Sequence, residues 1–142
     1  NYTQEKASKF KIKIGKNYYK WVEFLQMVNA MILNATDSED KQMGEFFIKD
    51  SVSEKEFINK VMFYLWNDVC KDLYNPRRVQ AAFFMRVKNL LDTEKNDFFT
   101  FAELFGERNK ESRLLEEFMK YLEAKYKENH ADFNLTIEPA ED

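Results

Sequence analysis

Glycine and proline are scarce in this chain, and their scarcity limits the fold more than any other feature. The 142 residues include three glycines and two prolines, whereas an all-β sandwich needs a turn roughly every 8–12 residues. Aromatic residues make up 16% of the chain, 14 of them phenylalanine, so a sizeable core can form. At this length one domain is expected. The sequence therefore predicts a mainly α fold over 1–142: a compact bundle of four to five helices, with at most a small two-stranded β element near the termini.

Apolar side chains recur at helical spacing along most of the chain. The central helix has the clearest start, because Ser53 and Glu56 match the Ser-x-x-Glu pattern of a capping box. The run that follows is apolar on nearly every side, which is typical of a buried helix. We therefore predict a helix over 53–73, with Trp66 inside the core. Further helices are predicted over 18–34, after Asn75-Pro76, from a second capping box at Thr100 and Glu103, and over about 110–129.

Both ends of the chain show the alternation of a strand. Residues 9–14 place lysines on one face and apolar side chains on the other, and Gly15-Lys16-Asn17 follows as a turn. Residues 132–138 alternate as well, with acidic side chains, inside an acidic tail over 131–142. We expect the two segments to pair or to share one small sheet, since opposite charges across strands are favourable. In the alternative, 9–14 forms a hairpin with nearby residues, or pairs with a core domain outside this sequence, and the tail stays loose.

Charge and reactive side chains favour no catalytic or metal site. The net charge of −3 provides no global basic field for nucleic acid. Cys70 is the single cysteine, so an intramolecular disulfide is impossible, and a buried thiol in a reducing cytoplasm is expected. His130 is the single histidine and is expected to be exposed at a helix end. No apolar run approaches 18 residues, so we expect no membrane span.

A basic cluster on one predicted helix is the better functional candidate. Arg77, Arg78, Arg86 and Lys88 share a broad polar face at helical spacing. Arginine forms bidentate pairs with carboxylates and phosphates. Three interpretations stay open: a solvated helix face, a subunit interface, and a contact with the DNA backbone.

The segment 39–49 combines a charged turn, a glycine and an apolar triplet. Gly44 would let the backbone adopt a positive φ or approach another group closely. Asp40 and Lys41 are expected to be exposed beside it, while the triplet Phe46-Phe47-Ile48 anchors the turn in a core.

The order of the motifs around this segment resembles a known family. The motifs are 21–25 with Asn29, the segment 40–49, the helix 57–69 and the segment 99–105. Together they resemble the C-terminal part of McrB-type AAA+ NTPases, the GTPase motor subunits of 5-methylcytosine-specific DNA restriction systems. The resemblance runs from about residue 10 to residue 105.

The resemblance implies that the chain is a helical lid. Such a lid covers the nucleotide and contacts the next subunit of a ring, so the implied partners are the AAA+ core of the same chain, neighbouring subunits and a nuclease subunit, with DNA contacted only indirectly. It also implies that Asp40, Lys41 and Gly44 contact nucleotide or a neighbour. Lys41 best matches the basic lid residue that reaches the terminal phosphates, although arginine is the more usual residue there.

Two nucleotide-binding motifs are missing from the sequence. No G-x-x-x-x-G-K-[ST] occurs, and no apolar strand ends in metal-holding acidic residues. Because the chain also starts at Asn1, we expect a fragment of a longer protein, not catalytic by itself, whose GTP or ATP with Mg²⁺ binds elsewhere in the parent. The alternatives are a free-standing helical protein-interaction module that binds through its aromatic surface, and a small nucleic-acid-binding domain that uses the basic helix.

Overall fold

The computed structural model describes residues 6–71, 73, 75–89, 100–105 and 112–140, with only the backbone described at 86–89. A β-hairpin comes first, helices follow, and a C-terminal strand returns to the hairpin. In chain order the elements are β1 (Lys11–Ile14), β2 (Asn17–Lys20), α1 (Trp21–Thr36), two 3₁₀ turns (Glu39–Lys41 and Glu45–Phe47), α2 in three consecutive segments (Glu54–Glu56, the π-helical Phe57–Met62, and Phe63–Asn67), α3 (Pro76–Asn89), α4 (Phe101–Phe105), α5 (Ser112–Lys127) and β3 (Ile137–Pro139).

The predicted fold class is wrong. The described residues form a three-stranded antiparallel sheet in the order β1-β2-β3 together with the helices. The protein is therefore mixed α/β, and not a helical bundle with at most a two-stranded element.

The hairpin given as an alternative for 9–14 is present, because 17–20 pair with β1. The predicted helix over 18–34 therefore starts too early, and α1 begins at Trp21. Ile14 lies opposite Asn17, so the hairpin loop has two residues. Gly15 has a φ of +60°, which fits a type II′ turn with glycine at its first central position.

The C-terminal segment joins this sheet, which confirms the prediction that the two ends of the chain share one small sheet. It shares the sheet with β1, but it pairs directly with β2: Tyr18 lies opposite Glu138. Leu135 N donates to Glu123 Oε2 at 2.7 Å, and Thr136 N and Oγ1 donate to the carboxylate of Glu23 at 2.7 and 2.8 Å. These bonds hold the described part of the acidic tail against α1 and α5.

Helix α2 differs from its prediction in length and burial. The capping box is confirmed, with Ser53 Oγ and the Glu56 carboxylate each accepting from the other residue's backbone N–H at 3.2 Å. The helix ends at Asn67 and not at 73. It is not buried all round, because Phe63 is 45% exposed and Trp66 is half-buried.

Two further predicted helix starts, after Asn75 and Thr100, are confirmed by their caps. Asn75 Oδ1 accepts from Arg78 N at 3.2 Å, and Thr100 and Glu103 form the second capping box, with bonds of 3.1 and 3.2 Å. These caps satisfy backbone N–H groups that have no partner inside the helix.

Aromatic side chains fill the core between the sheet and the helices. Phe84 of α3 stacks on Phe118 of α5 with the ring centroids 5.6 Å apart, and Phe24 of α1 meets Phe57 of α2 edge-on at 5.0 Å. The largest fully buried aromatic side chains are Trp21, Phe24, Phe57, Phe83, Phe84 and Phe118. Within the described ranges, no helix combines the length and apolar character needed to cross a bilayer.

Candidate functional site

Lys41 belongs to the first 3₁₀ turn, and its side chain caps the C-terminal end of α2. Its Nζ donates to the backbone oxygens of Asp68 at 3.1 Å and Lys71 at 2.6 Å, just beyond the last helical residue. A cation is favourable there, because the last carbonyls of a helix lack partners and carry partial negative charge. Tyr64 Oη donates to Lys41 O at 2.8 Å. The lysine predicted to reach a phosphate therefore joins segment 39–49 to α2.

Gly44 has no special backbone role. Its φ is −85° and its ψ is 169°, and no atom lies within 4 Å of the position that a Cβ would take. Asp40 is exposed nearby. The expected positive φ or close approach at Gly44 is wrong.

Three of the four segments that carry the family resemblance are joined by hydrogen bonds. The Asn29 side chain exchanges two bonds of 2.8 Å with the backbone of Met43. Trp21 Nε1 donates to Glu45 O at 2.8 Å, and Lys41 and Tyr64 join the same segment to α2. Motif residues far apart in sequence thus meet at segment 39–49, and most of their polar atoms serve the fold.

The basic cluster lies along α3, away from segment 39–49. Arg77 and Arg78 are exposed in its first turn. Arg86 and Lys88 belong to the same helix, but their side chains are outside the described residues. Arg78 lines a shallow groove of about 410 Å³, whose other lining residues are Asn34, Ala35, Thr36, Leu73, Asn75, Val79 and Ala82.

A larger open groove of about 650 Å³ lies between the C-terminal halves of α1 and α5. We call it the α1–α5 groove. Small or flexible apolar residues dominate the α1 side and aromatic rings the α5 side, and the lining residues are Met27, Ala30, Met31, Leu33, Asn34, Ala35, Asp37, Ala82, Tyr121, Lys125, Tyr126, Glu128, Asn129 and His130.

Bonds and ring contacts fix the aromatic side of this groove. Tyr121 Oη donates to Ala82 O at 2.8 Å and so joins α5 to α3. His130 stacks on Tyr126, with centroids 4.0 Å apart and planes 2° from parallel, and Phe133 meets Tyr126 edge-on at 4.9 Å. His130 is exposed beyond the helix end, as predicted.

One end of the groove is negative. Helix α1 ends there at Asp37, which has a φ of 56°, and its last turn carries no basic residue. The unpaired carbonyls of that turn add partial negative charge. Glu128 lies on the α5 side, 3.9 Å from Lys125 Nζ.

Two kinds of site can be assessed among the described residues, a metal cluster and a nucleophilic thiol. No three His, Cys, Asp or Glu side chains within the described ranges are placed to hold a metal ion. Burial raises the pKa of the Cys70 thiol to about 11, and the positive charge of Lys41 only partly opposes this. The thiol is therefore protonated at neutral pH and is a poor nucleophile.

The groove residues were missed by the sequence analysis. Ala30, Ala82 and Tyr121 carry no local signal, because the groove is lined by residues of three helices, α1, α3 and α5, that lie far apart in the sequence. No protein-family model, curated protein or solved structure matches the chain. The McrB-type resemblance therefore stays a prediction that rests on its motif segments.

Proposed function

We propose that this chain is a non-catalytic protein-interaction domain that holds an amphipathic helix of a partner protein in the α1–α5 groove. The single observation that supports this most is the groove itself, an open cleft of about 650 Å³ between two helices. A groove of this kind suits the recognition mode in which a helix lays its apolar face between two helices.

The side chains of the groove suit that occupant. Ala30, Ala35 and Ala82 leave room for the side chains of a docked helix. Met31 is flexible and adapts to partner side chains of different shape. Tyr121 and Tyr126 supply rigid aromatic area, which is typical of residues that dominate binding energy. The charged residues Asp37, Lys125 and Glu128 also line the groove, and protein interfaces combine apolar and polar side chains.

The charge at the end of α1 sets the expected orientation of the partner helix. Asp37 and the last carbonyls of α1 present negative charge that no basic residue of the last turn offsets. A lysine or arginine of the partner placed there would gain about 0.3–1 kcal/mol. The proposed occupant is therefore an amphipathic helix with a basic residue at the end that meets Asp37.

The AAA+ lid is the specific form of such a domain that the motif resemblance implies. In that form the partners are the AAA+ core of the same chain, neighbouring ring subunits and a nuclease subunit, and GTP or ATP with Mg²⁺ binds in the parent protein. We propose a cytoplasmic location, which the buried free thiol of Cys70 supports. The isolated chain should not release phosphate from GTP or ATP, because it lacks a P-loop.

The test is selection of a displayed library of amphipathic helices on the folded domain, followed by NMR titration with the enriched peptide. The expected result is shifted amide signals at groove residues and enrichment of peptides with one basic end. Ala30→Arg should reduce peptide affinity at least tenfold, because Ala30 lines the groove. Ala124→Arg is the matched control, since Ala124 is exposed on α5 and does not line the groove.

Two results would contradict the proposal. One is enrichment of peptides whose signals shift at a surface other than the groove. The other is equal loss of affinity in Ala30→Arg and Ala124→Arg. Thermal melts of both variants check that each domain is folded, and arginine is close to alanine in helix propensity.

A further inference from the structure

The outer face of the sheet concentrates positive charge in a chain whose net charge is −3. Residues 6–20 contain six lysines and no aspartate or glutamate. In the hairpin, Lys11 lies opposite Lys20 and Lys13 lies opposite Tyr18. These four side chains share one face with Glu138, which lies opposite Tyr18, since successive residues of a strand point to opposite sides. The other face of β1 is buried in the core. We call the surface formed by the four residues the lysine face.

The charge arrangement on the lysine face does not favour stability. Lys11 and Lys20 are like charges directly across two strands, a destabilising pair. Glu138 places one carboxylate oxygen 3.3 Å from Lys11 Nζ. Lys13 and Lys20 form no ion pair with any carboxylate of the described chain. Their charges are therefore available to an external anion.

The face, and not the edge, of β1 is the open surface. Along its outer edge, Lys13 N donates to Val52 O at 3.1 Å and Val52 N donates to Lys11 O at 2.9 Å. This edge therefore cannot add an extended peptide at Lys11 or Lys13, which leaves contact through the side chains of the face.

Tyr18 places an aromatic ring among the lysines. Lys11 Nζ lies 5.4 Å from the centroid of the Tyr18 ring, and Tyr18 is only partly buried. Lysines that follow a phosphate backbone, combined with an aromatic ring on which a base stacks, are the two elements of single-strand recognition. A duplex keeps its bases stacked on each other and offers no free base to the ring. A membrane surface site would need apolar side chains to insert, and the lysine face has none.

We propose that the lysine face binds single-stranded nucleic acid, with Lys13 and Lys20 contacting phosphates and Tyr18 stacking on a base. Glu138 is the acidic residue on this face, and its carboxylate pairs with Lys11 at 3.3 Å, which leaves the charges of Lys13 and Lys20 for the phosphates. The surface is separate from the α1–α5 groove, so it does not depend on the proposed protein partner.

The test uses a fluorescein-labelled oligothymidylate 12-mer and a duplex of the same length, with fluorescence anisotropy at several NaCl concentrations. We expect the single strand to bind at least tenfold more tightly than the duplex. Lys13→Glu combined with Lys20→Glu should weaken binding at least tenfold, and the slope of log affinity against log salt should become shallower by about 0.7 for each lost phosphate contact. Tyr18→Ala should weaken binding about five- to 150-fold, the equivalent of ~1–3 kcal/mol for a stacked base.

Two control variants separate this site from a general charge effect. Lys71→Glu combined with Lys120→Glu changes the net charge equally, but at two exposed positions outside the sheet, and should leave affinity within about twofold. Tyr18→Phe keeps the ring and should bind as the parent does, which also covers the case in which Tyr18→Ala fails to fold.

Four outcomes would overturn the proposal. They are no binding of the single strand, equal loss in both double-glutamate variants, unchanged affinity in a folded Tyr18→Ala domain, and tighter binding of polyglutamate or phosphatidylserine vesicles than of the oligonucleotide.

Discussion

Asn29 and Met43 exchange two hydrogen bonds, with Asn29 Nδ2 donating to Met43 O and Met43 N donating to Asn29 Oδ1, each at 2.8 Å. The amide of Asn29 thus satisfies both backbone groups of a buried loop residue at once. Gln42 Nε2 donates to Asn29 O at 2.9 Å and adds a third bond between α1 and segment 39–49. This arrangement holds the loop in a defined position.

Asn29→Ala should lower the free energy of unfolding by about 2 kcal/mol, because two bonds of ~1 kcal/mol each are lost and Met43 is left with unpaired backbone groups. Urea denaturation followed by circular dichroism measures this. The control is Gln26→Ala, an exposed position on the same helix, which should change stability by less than about 0.5 kcal/mol. Equal effects of the two substitutions would show that the Asn29 bonds contribute little.

Substitution by alanine should have opposite effects on stability at Gly15 and at Gly44. Gly15 has a φ of +60°, and a Cβ there would lie 3.0 Å from Glu116 Oε1 and 3.1 Å from Ser112 Cβ. Gly15→Ala should therefore cost at least ~1 kcal/mol from backbone strain, with a further contribution from the crowding. Gly44→Ala should be neutral or stabilise by up to ~1 kcal/mol, since its φ of −85° suits alanine and the unfolded chain loses freedom. The thermal midpoint should fall for Gly15→Ala and should stay the same or rise for Gly44→Ala. A lower midpoint for Gly44→Ala would contradict the backbone conformation described for Gly44.

Trp21→Ala should be more damaging than Trp66→Ala. Trp21 is 0% exposed and its Nε1 donates to Glu45 O, so about 3–5 kcal/mol should be lost. Trp66 is only half-buried, against Phe84 and Phe101, and less is lost there. Urea titrations of both variants give the order. Trp21→Phe, which keeps part of the packing, is the substitute if Trp21→Ala does not fold, and it should still lose the bond to Glu45.

The sequence predicted those structural features that depend on residues close together in the chain. The caps at Ser53 and Thr100 depend on residues three positions apart, so the sequence indicates them directly. Tyr18 was misassigned because a tyrosine before an apolar helix fits a helical stripe, whereas its strand is decided by pairing with β1 and with Glu138, 120 residues further along.

The contacts of Lys41 could not be predicted from the sequence for a similar reason. Its acceptors at Asp68 and Lys71 lie 27 and 30 residues away, and no local pattern indicates that a helix will end beside it. The α1–α5 groove is likewise a product of tertiary packing. The lysine face, by contrast, has a sequence signal in the alternation over 9–14, whose ligand-binding side becomes clear only once β2 adds Tyr18 and Lys20.

Alkaline pH should destabilise the protein in part through Tyr19. This residue is 4% exposed, and burial, with a smaller contribution from the charge of Glu116, raises its pKa from 10.0 to about 12. Between these two values the folded state binds more protons at Tyr19 than the unfolded state does. The free energy of unfolding should therefore fall as the pH rises through this range, while below pH 10 the contribution of Tyr19 stays constant.

Tyr19→Phe removes the titrating hydroxyl and keeps the ring, so its stability should decline less steeply than that of the parent between pH 10 and pH 11, as measured by urea denaturation. Some decline should remain, because burial also raises the pKa values of Cys70 and Tyr64. Ser53→Ala is the control, since loss of its cap costs about 1 kcal/mol through a group that does not titrate in this range. It should shift the whole curve down and leave its slope unchanged. Parallel curves for Tyr19→Phe and the parent would show that the Tyr19 hydroxyl ionises as readily in the folded protein as in the unfolded chain.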